Sequence, residues 1–194
     1  DKKYDFVISG YYGFHNNGDD ALLLAITEQI KKANPKARLA VLSQRPRETS
    51  SLYRTDAVSR VNPFSLVRVM KKTKVLISGG GSLLQDETSS KSLWYYLFVI
   101  KLAKKCGAKV MQLANGFGPV KRKLNRRLTA KVINNNVDVI TLRDAASKRL
   151  MEECGVKKDI VVTSDPAMLL EGIGDKELGK LFEKEKIPMG DYVC

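Results

Sequence analysis

Three consecutive glycines, Gly79, Gly80 and Gly81, follow the apolar run Val75–Ser78 and lead through Ser82 and Gln85 to the carboxylate of Asp86. Glycine loses more backbone freedom on folding than any other residue. A triplet is kept where something approaches the main chain closely, usually a ligand whose oxygens take backbone N–H donors. The same construction opens the chain. Asp5-Phe6-Val7-Ile8-Ser9 runs into Gly10, followed by Tyr11-Tyr12-Gly13-Phe14-His15-Asn16-Asn17-Gly18-Asp19-Asp20. Two nucleotide-binding patterns fail there. Gly10, Gly13 and Gly18 lack the G-x-G-x-x-G spacing of a dinucleotide loop. Gly13 and Gly18 match the phosphate loop, but Asp19 and Asp20 stand where it needs lysine and Ser/Thr. Two carboxylates repel a triphosphate, so an ATP site is disfavoured. Asn16, Asn17 and Asp19 suit either a helix cap or hydrogen bonds to sugar hydroxyls.

Three further segments end in chemistry-bearing residues. Asn115-Gly116-Phe117-Gly118-Pro119 follows the apolar run Lys109–Leu113. Arg143 follows Val137–Leu142, where a planar guanidinium suits a carboxylate or phosphate. Asp144 beside it reads as a helix N-cap, and Asp165-Pro166 as a turn. His15 is the single histidine. Its type suits acid–base work, but its setting among Asn and Gly reads as an exposed loop.

These residues need a scaffold that brings strand ends together. Short Val/Ile/Leu runs without alternation mark strands covered on both faces: 6–9, 39–43, 75–78, 109–113, 137–142 and 160–163. Helical stretches lie between them at 20–33, 63–71, 92–106, 121–134 and 144–154. Gly107 and Gly155 follow two of the helices as stop signals. Residues 44–62 are less regular, with a short strand near 57–59. This alternation predicts an α/β fold with a doubly wound, mostly parallel sheet and a ligand cleft at its C-terminal edge. Residues 175–186 read as a charged helix broken at Ile187-Pro188. One Rossmann-like domain is expected over 1–190, with 191–194 opening a truncated second domain.

At 194 residues, 43% hydrophobic and 28% charged, the chain suits a globular core. Cys106, Cys154 and Cys194 form no C-x-x-C pair, which argues against zinc or a disulfide framework and fits a cytoplasmic compartment. The longest apolar run, 93–100, is too short to span a bilayer. Net charge is +13, and no acidic residue occurs between Glu87 and Asp138. Such a block attracts anions: nucleic acid, phosphorylated lipid or an acidic substrate. Few aromatics and no RNP-type strand disfavour RNA. The apolar positions Leu124, Leu128 and Val132 predict that this face of their helix packs on the sheet, leaving the basic side chains outward.

Taken together, these segments resemble the polysaccharide pyruvyl transferase family, in its bacterial cell-wall-polymer branch. The resemblance is carried by Ser9-Gly10-Tyr11-Tyr12-Gly13-Phe14 with Asn16 and Gly18-Asp19, by Ile77 to Asp86, by Asn115-Gly116 with Gly118-Pro119, by Thr141 with Arg143-Asp144, and by Asp165-Pro166. Asn115 stands where many relatives carry glutamine. The resemblance implies the N-terminal half of a GT-B-like two-domain enzyme. It implies transfer of pyruvate from phosphoenolpyruvate to two hydroxyls of a sugar in a lipid-linked cell-wall precursor, closing a cyclic ketal. Residues 1–194 alone would then fold without catalysing. Arg143 is the implied anion clamp, with Asp19 and Asp86 as contacts or bases for sugar hydroxyls. Gly10, Tyr11, Gly13, Asn16, Gly18, Gly79, Gly80, Gly81, Ser82, Gln85, Asn115 and Gly116 would line the substrate site. No metal and no cofactor is expected. Beyond phosphoenolpyruvate and the acceptor, the expected partner is an anionic membrane surface, bound peripherally at the cytoplasmic face, and not nucleic acid. Self-association is left open. Two other readings stand: a GT-B glycosyltransferase using a sugar nucleotide, and a non-enzymatic basic module that binds anions.

Overall fold

The computed structural model describes residues 2–172 and 174–186. The helix break at Ile187 and the expected start of a second domain lie outside the described residues. Seven parallel strands form one sheet in the order β3-β2-β1-β4-β5-β6-β7. They are β1 (Tyr4–Ser9), β2 (Leu39–Ser43), β3 (Asp56–Ser59), β4 (Thr73–Gly79), β5 (Lys109–Asn115), β6 (Val139–Leu142) and β7 (Val161–Val162). The helices between them are α1 (Asn17–Ala33), α2 (Pro46–Tyr53), α3 (Pro63–Lys71), α4 (Ser90–Lys105), α5 (Lys123–Asn136) and α6 (Ala145–Glu153). A 3₁₀ turn (Pro166–Leu169) and α7 (Asp175–Glu185) follow. The Rossmann-like α/β class expected from the sequence is the one observed.

The order of strands creates the site. The chain walks outward from β1 to β3, then returns to place β4 on the other side of β1. Loops leaving β1 and β4 therefore diverge, which opens a crevice at the C-terminal edge. Ser9 pairs with Ser78, and Ser78 with Gln112, so β1 and β4 end within one residue of each other while β5 runs on to Asn115.

Alternate residues of β1 feed two cores. Val7 joins the larger one with Leu76, Val110, Ile140, Leu97, Ile133 and Met151, under α3 to α6. Ile8 joins Val41, Tyr12, Leu23 and Ile26 on the opposite face, under α1. Local signals mark most of the helix ends. Asn62 and Ser89 cap α3 and α4, Asp144 caps α6 as expected, and Gly107 and Gly155 adopt positive φ at helix ends.

Two expectations change and one, at Asp165, holds. Residues 46–53 form α2, a polar helix with Pro46 in its first turn and only Thr49 buried; its apolar stripe was too thin to read. Asp165 does cap the Pro166–Leu169 turn. The second change concerns α5. Its inward face is Asn125, Thr129, Val132 and Ile133, while Leu124 and Leu128 are 73% and 37% exposed. Among the described residues no helix is long and apolar enough to cross a membrane.

Candidate functional site

The loop after β4 is the floor of the crevice. Gly80 and Gly81 have φ of +71° and +63°, in the left-handed region that favours glycine. A Cβ on Gly80 would lie 2.8 Å from the Leu22 side chain, and one on Gly81 would lie 2.9 Å from Asp19 Oδ1. Gly79 and Gly80 are buried. They let α1 pack closely on β4, so the triplet serves packing as much as ligand approach. Gly81 is the member left partly exposed, with Asp19 against it. Among the described residues the N–H groups of Gly81 and Ser82 donate to no backbone carbonyl.

The loop after β1 is also built by packing. Tyr12 folds back over Gly10, where any Cβ would collide with its ring. Its buried hydroxyl donates to the Gly79 carbonyl at 2.6 Å, tying the two glycine loops together. Gly13, at φ +79°, packs on Ser43 and the Arg45 N–H. Asn16 is the N-cap of α1: its Oδ1 accepts from Gly18 N at 3.1 Å and Asp19 N at 3.2 Å. Asn16 and Gly18 thus hold the helix start that positions Asp19. His15 is exposed, at φ +57°, with Nδ1 3.6 Å from Glu48 Oε1.

Asp19 is half-buried in the first turn of α1. Burial first, then the charge of Asp20, pushes its pKa up to about 6. A carboxylate poised there is deprotonated at neutral pH yet basic enough to take a proton.

Arg143 lies across the loop after β5. Its Nη1 donates to Asp165 Oδ2 at 3.2 Å and its Nη2 to Ser82 Oγ at 3.4 Å, with Nε 3.7 Å from Asp144 Oδ2. Gly116 lies directly beneath. A Cβ there would clash with Ser82 Oγ and approach Arg143 Nη2 to 3.1 Å. Gly116 N in turn donates to Gly81 O at 3.0 Å. A bulge in the β5–β6 pairing, with Ala114 at φ +48°, offsets Asn115. Its Nδ2 then reaches Gly80 O at 3.0 Å, and its Oδ1 is buried with no partner among the described residues. Ser82, Asn115, Gly116 and Arg143 are therefore one cluster, adjoining Gly81 and Asp19.

Asp86 and Gln85 belong elsewhere, which corrects the base and substrate roles expected of them. Asp86 is 6% exposed. Its oxygens accept from Lys121 N at 2.7 Å, Arg122 N at 3.1 Å and Asn125 Nδ2 at 2.8 Å. Burial alone would raise its pKa, but these hydrogen bonds outweigh it and hold the carboxyl below its ordinary value. The residue anchors the start of α5. Gln85 closes a local turn, accepting from Glu87 N at 2.7 Å and Thr88 N at 3.1 Å.

One residue escaped the sequence reading. Arg60 follows β3 as Arg143 follows β6, and it is 8% exposed. Its guanidinium lies 4.4 Å from the Tyr95 ring, 5.1 Å from Phe14 and 5.5 Å from Tyr96. It reaches the Gly10 carbonyl and Tyr96 Oη at 3.4 Å each. Among the described residues it has no carboxylate partner. Tyr11 stacks on Phe14 at 4.0 Å between centroids and closes this stack from outside. The signal was an Arg at the end of a short strand, in a stretch too irregular to place. Among the described residues no group of three or more His, Cys, Asp or Glu side chains gathers where a metal could be held.

Arg143 and Arg60 thus follow strands on opposite sides of the crevice, Arg143 paired with Asp165 and Asp144 and Arg60 with no carboxylate among the described residues. A family model described as polysaccharide pyruvyl transferase matches residues 16–194. No curated protein sequence matches the chain. Among solved structures, Anabaena HepE in complex with UDP-glucose aligns with a TM-score of 0.58 at 10% identity, covering 94% of this chain and 50% of that one. HepE in complex with UDP and glucose aligns with a TM-score of 0.56 at 9% identity over the same shares. At these identities the likeness is one of fold, a GT-B-like arrangement. The chain spans about half the length of these structures.

Proposed function

The chain belongs to the polysaccharide pyruvyl transferase family, and on that premise we propose that it supplies part of the site where pyruvate moves from phosphoenolpyruvate to a sugar of a cell-wall polysaccharide precursor. The family is one of transferases. In the proposed reaction a proton goes to the methylene carbon of phosphoenolpyruvate, and the neighbouring carbon becomes electrophilic. One sugar hydroxyl adds there and loses its proton. Phosphate leaves, and a second hydroxyl closes the ketal. The products are the ketal carboxylate and hydrogen phosphate, so atoms and charge balance.

The observation that carries this reading is the Gly81–Ser82 turn, with the Asp19 carboxylate against one side and the Arg143 guanidinium against the other. Arg143, Ser82 Oγ and the free N–H groups suit a small polyanion. In this reading the anion displaces part of the Arg143–Asp165 contact. Asp19, with its raised pKa, takes the proton of an attacking hydroxyl. Arg60 adds positive potential that no neighbouring carboxylate offsets.

The test, on the full-length protein, is phosphate release from phosphoenolpyruvate in the presence of a saccharide acceptor, with titration calorimetry against phosphoenolpyruvate and UDP-glucose. Acceptor-dependent phosphate release and binding of phosphoenolpyruvate support the proposal. Binding of UDP-glucose with none of phosphoenolpyruvate supports a sugar-nucleotide enzyme instead.

A further inference from the structure

The misplaced face of α5 has a counterpart on α4. Successive turns of α4 expose Trp94, Phe98, Lys101 and Lys105, and successive turns of α5 expose Leu124, Leu128 and Lys131. Trp94 and Phe98 are 47% and 49% exposed. Between the helices runs an open groove of about 620 Å³, lined by Leu97, Leu102 and Val132 within and by Lys101, Lys104 and Lys105 at its rim. Lys104 is paired with Asp138 at 2.6 Å. Among the described residues Lys91, Lys101, Lys105, Lys123, Arg127 and Lys131 have no acidic partner. No acidic residue lies between Glu87 and Asp138 to offset them.

We propose that this α4–α5 face docks on an anionic lipid bilayer. Trp94, Phe98, Leu124 and Leu128 enter the headgroup layer, where amphipathic and aromatic side chains are favoured. The lysines lie along the surface with their heads among lipid phosphates. Charge selects this occupant over a second copy of the chain, because pairing this face with itself brings like charges together. The groove is also tied to the far end of the loop after β4. Trp94 Nε1 donates to Asn125 Oδ1 at 2.9 Å, and Asn125 bonds Asp86 in the loop after β4. Docking therefore brings the Asp86 end of the loop after β4 toward the lipid surface. The inference does not depend on the reaction proposed above.

Trp94 is the sole tryptophan, so its emission reports directly on this face. The experiment is vesicle flotation and Trp94 fluorescence at low salt, with phosphatidylcholine vesicles with and without phosphatidylglycerol. Flotation and a blue shift are expected only with phosphatidylglycerol. Lys101→Ala with Lys105→Ala should lower partitioning about 30-fold, from about 1 kcal/mol per basic residue near the surface. Phe98→Ser with Leu128→Ser, at exposed positions, should lower it at least about tenfold. Circular dichroism confirms folding of each variant. Equal flotation with neutral vesicles, unchanged Trp94 emission, or undiminished binding by either pair overturns the proposal. So does sedimentation showing a dimer that the same substitutions dissociate.

Discussion

Asp86→Ala separates a structural carboxylate from a catalytic one. In the structure both oxygens are taken by groups at the start of α5: Lys121 N at 2.7 Å, Arg122 N at 3.1 Å and Asn125 Nδ2 at 2.8 Å. Removing a helix-capping carboxylate costs about 0.5–2 kcal/mol. Stranding buried donors costs about 1–3 kcal/mol more. Asn125 keeps its bond to Ser90 Oγ at 2.9 Å, which limits the damage. The sum is about 1.5–5 kcal/mol. For a domain of this size that lowers the melting temperature by roughly 3–20 °C. Thermal melting followed by circular dichroism measures it. Asp86→Asn retains one acceptor oxygen and should fall between. The pH dependence has a defined sign. The folded pKa of Asp86 lies below its unfolded value. Its stabilisation is therefore fully present above about pH 4 and is lost as pH falls through the folded value. The penalty of Asp86→Ala should shrink in acid. An Asp86→Ala protein that melts like its parent, yet loses turnover about 100-fold, the size of a lost base, would refute the anchoring role.

Other outcomes, measured on the full-length protein, follow from the same geometry. Arg143→Ala should weaken phosphoenolpyruvate binding about 10- to 150-fold, from about 1.5–3 kcal/mol for a charge-assisted contact, and Arg143→Lys should recover only part; titration calorimetry measures both. Turnover should fall as pH drops below about 6, where Asp19 protonates, and Asp19→Asn should remove that limb of the rate profile at a cost of roughly 100-fold. His15→Ala should keep turnover within about threefold, well short of the ~100-fold of a lost acid or base; a larger loss in a folded protein would make the exposed histidine catalytic.

Much of the fold was legible because its signals are local. A strand buried on both faces must be continuously apolar, and helix ends need caps and glycines. Strands, most helices and the sheet class follow from such signals within a few residues of each position. Arg143 and Asp19 could be found because they follow strands, and the topology carries every strand end to one edge. What could not be read depends on partners distant in sequence. Asp86 looked free beside its glycines, but its partners begin at Lys121. Arg60 is held by rings at Phe14, Tyr95 and Tyr96. Gly79 and Gly80 suggested a ligand, and the structure spends both on close packing with α1. α5 shows the difference most directly. Hydrophobicity alone sends Leu124 and Leu128 inward. In the tertiary structure Asn125 faces inward, bonded to Asp86, Ser90 and Trp94. A helix can turn only one face to the sheet, so satisfying those buried polar groups leaves the leucines outside. That rotation is a sum of long-range contacts, and no window of sequence contains it.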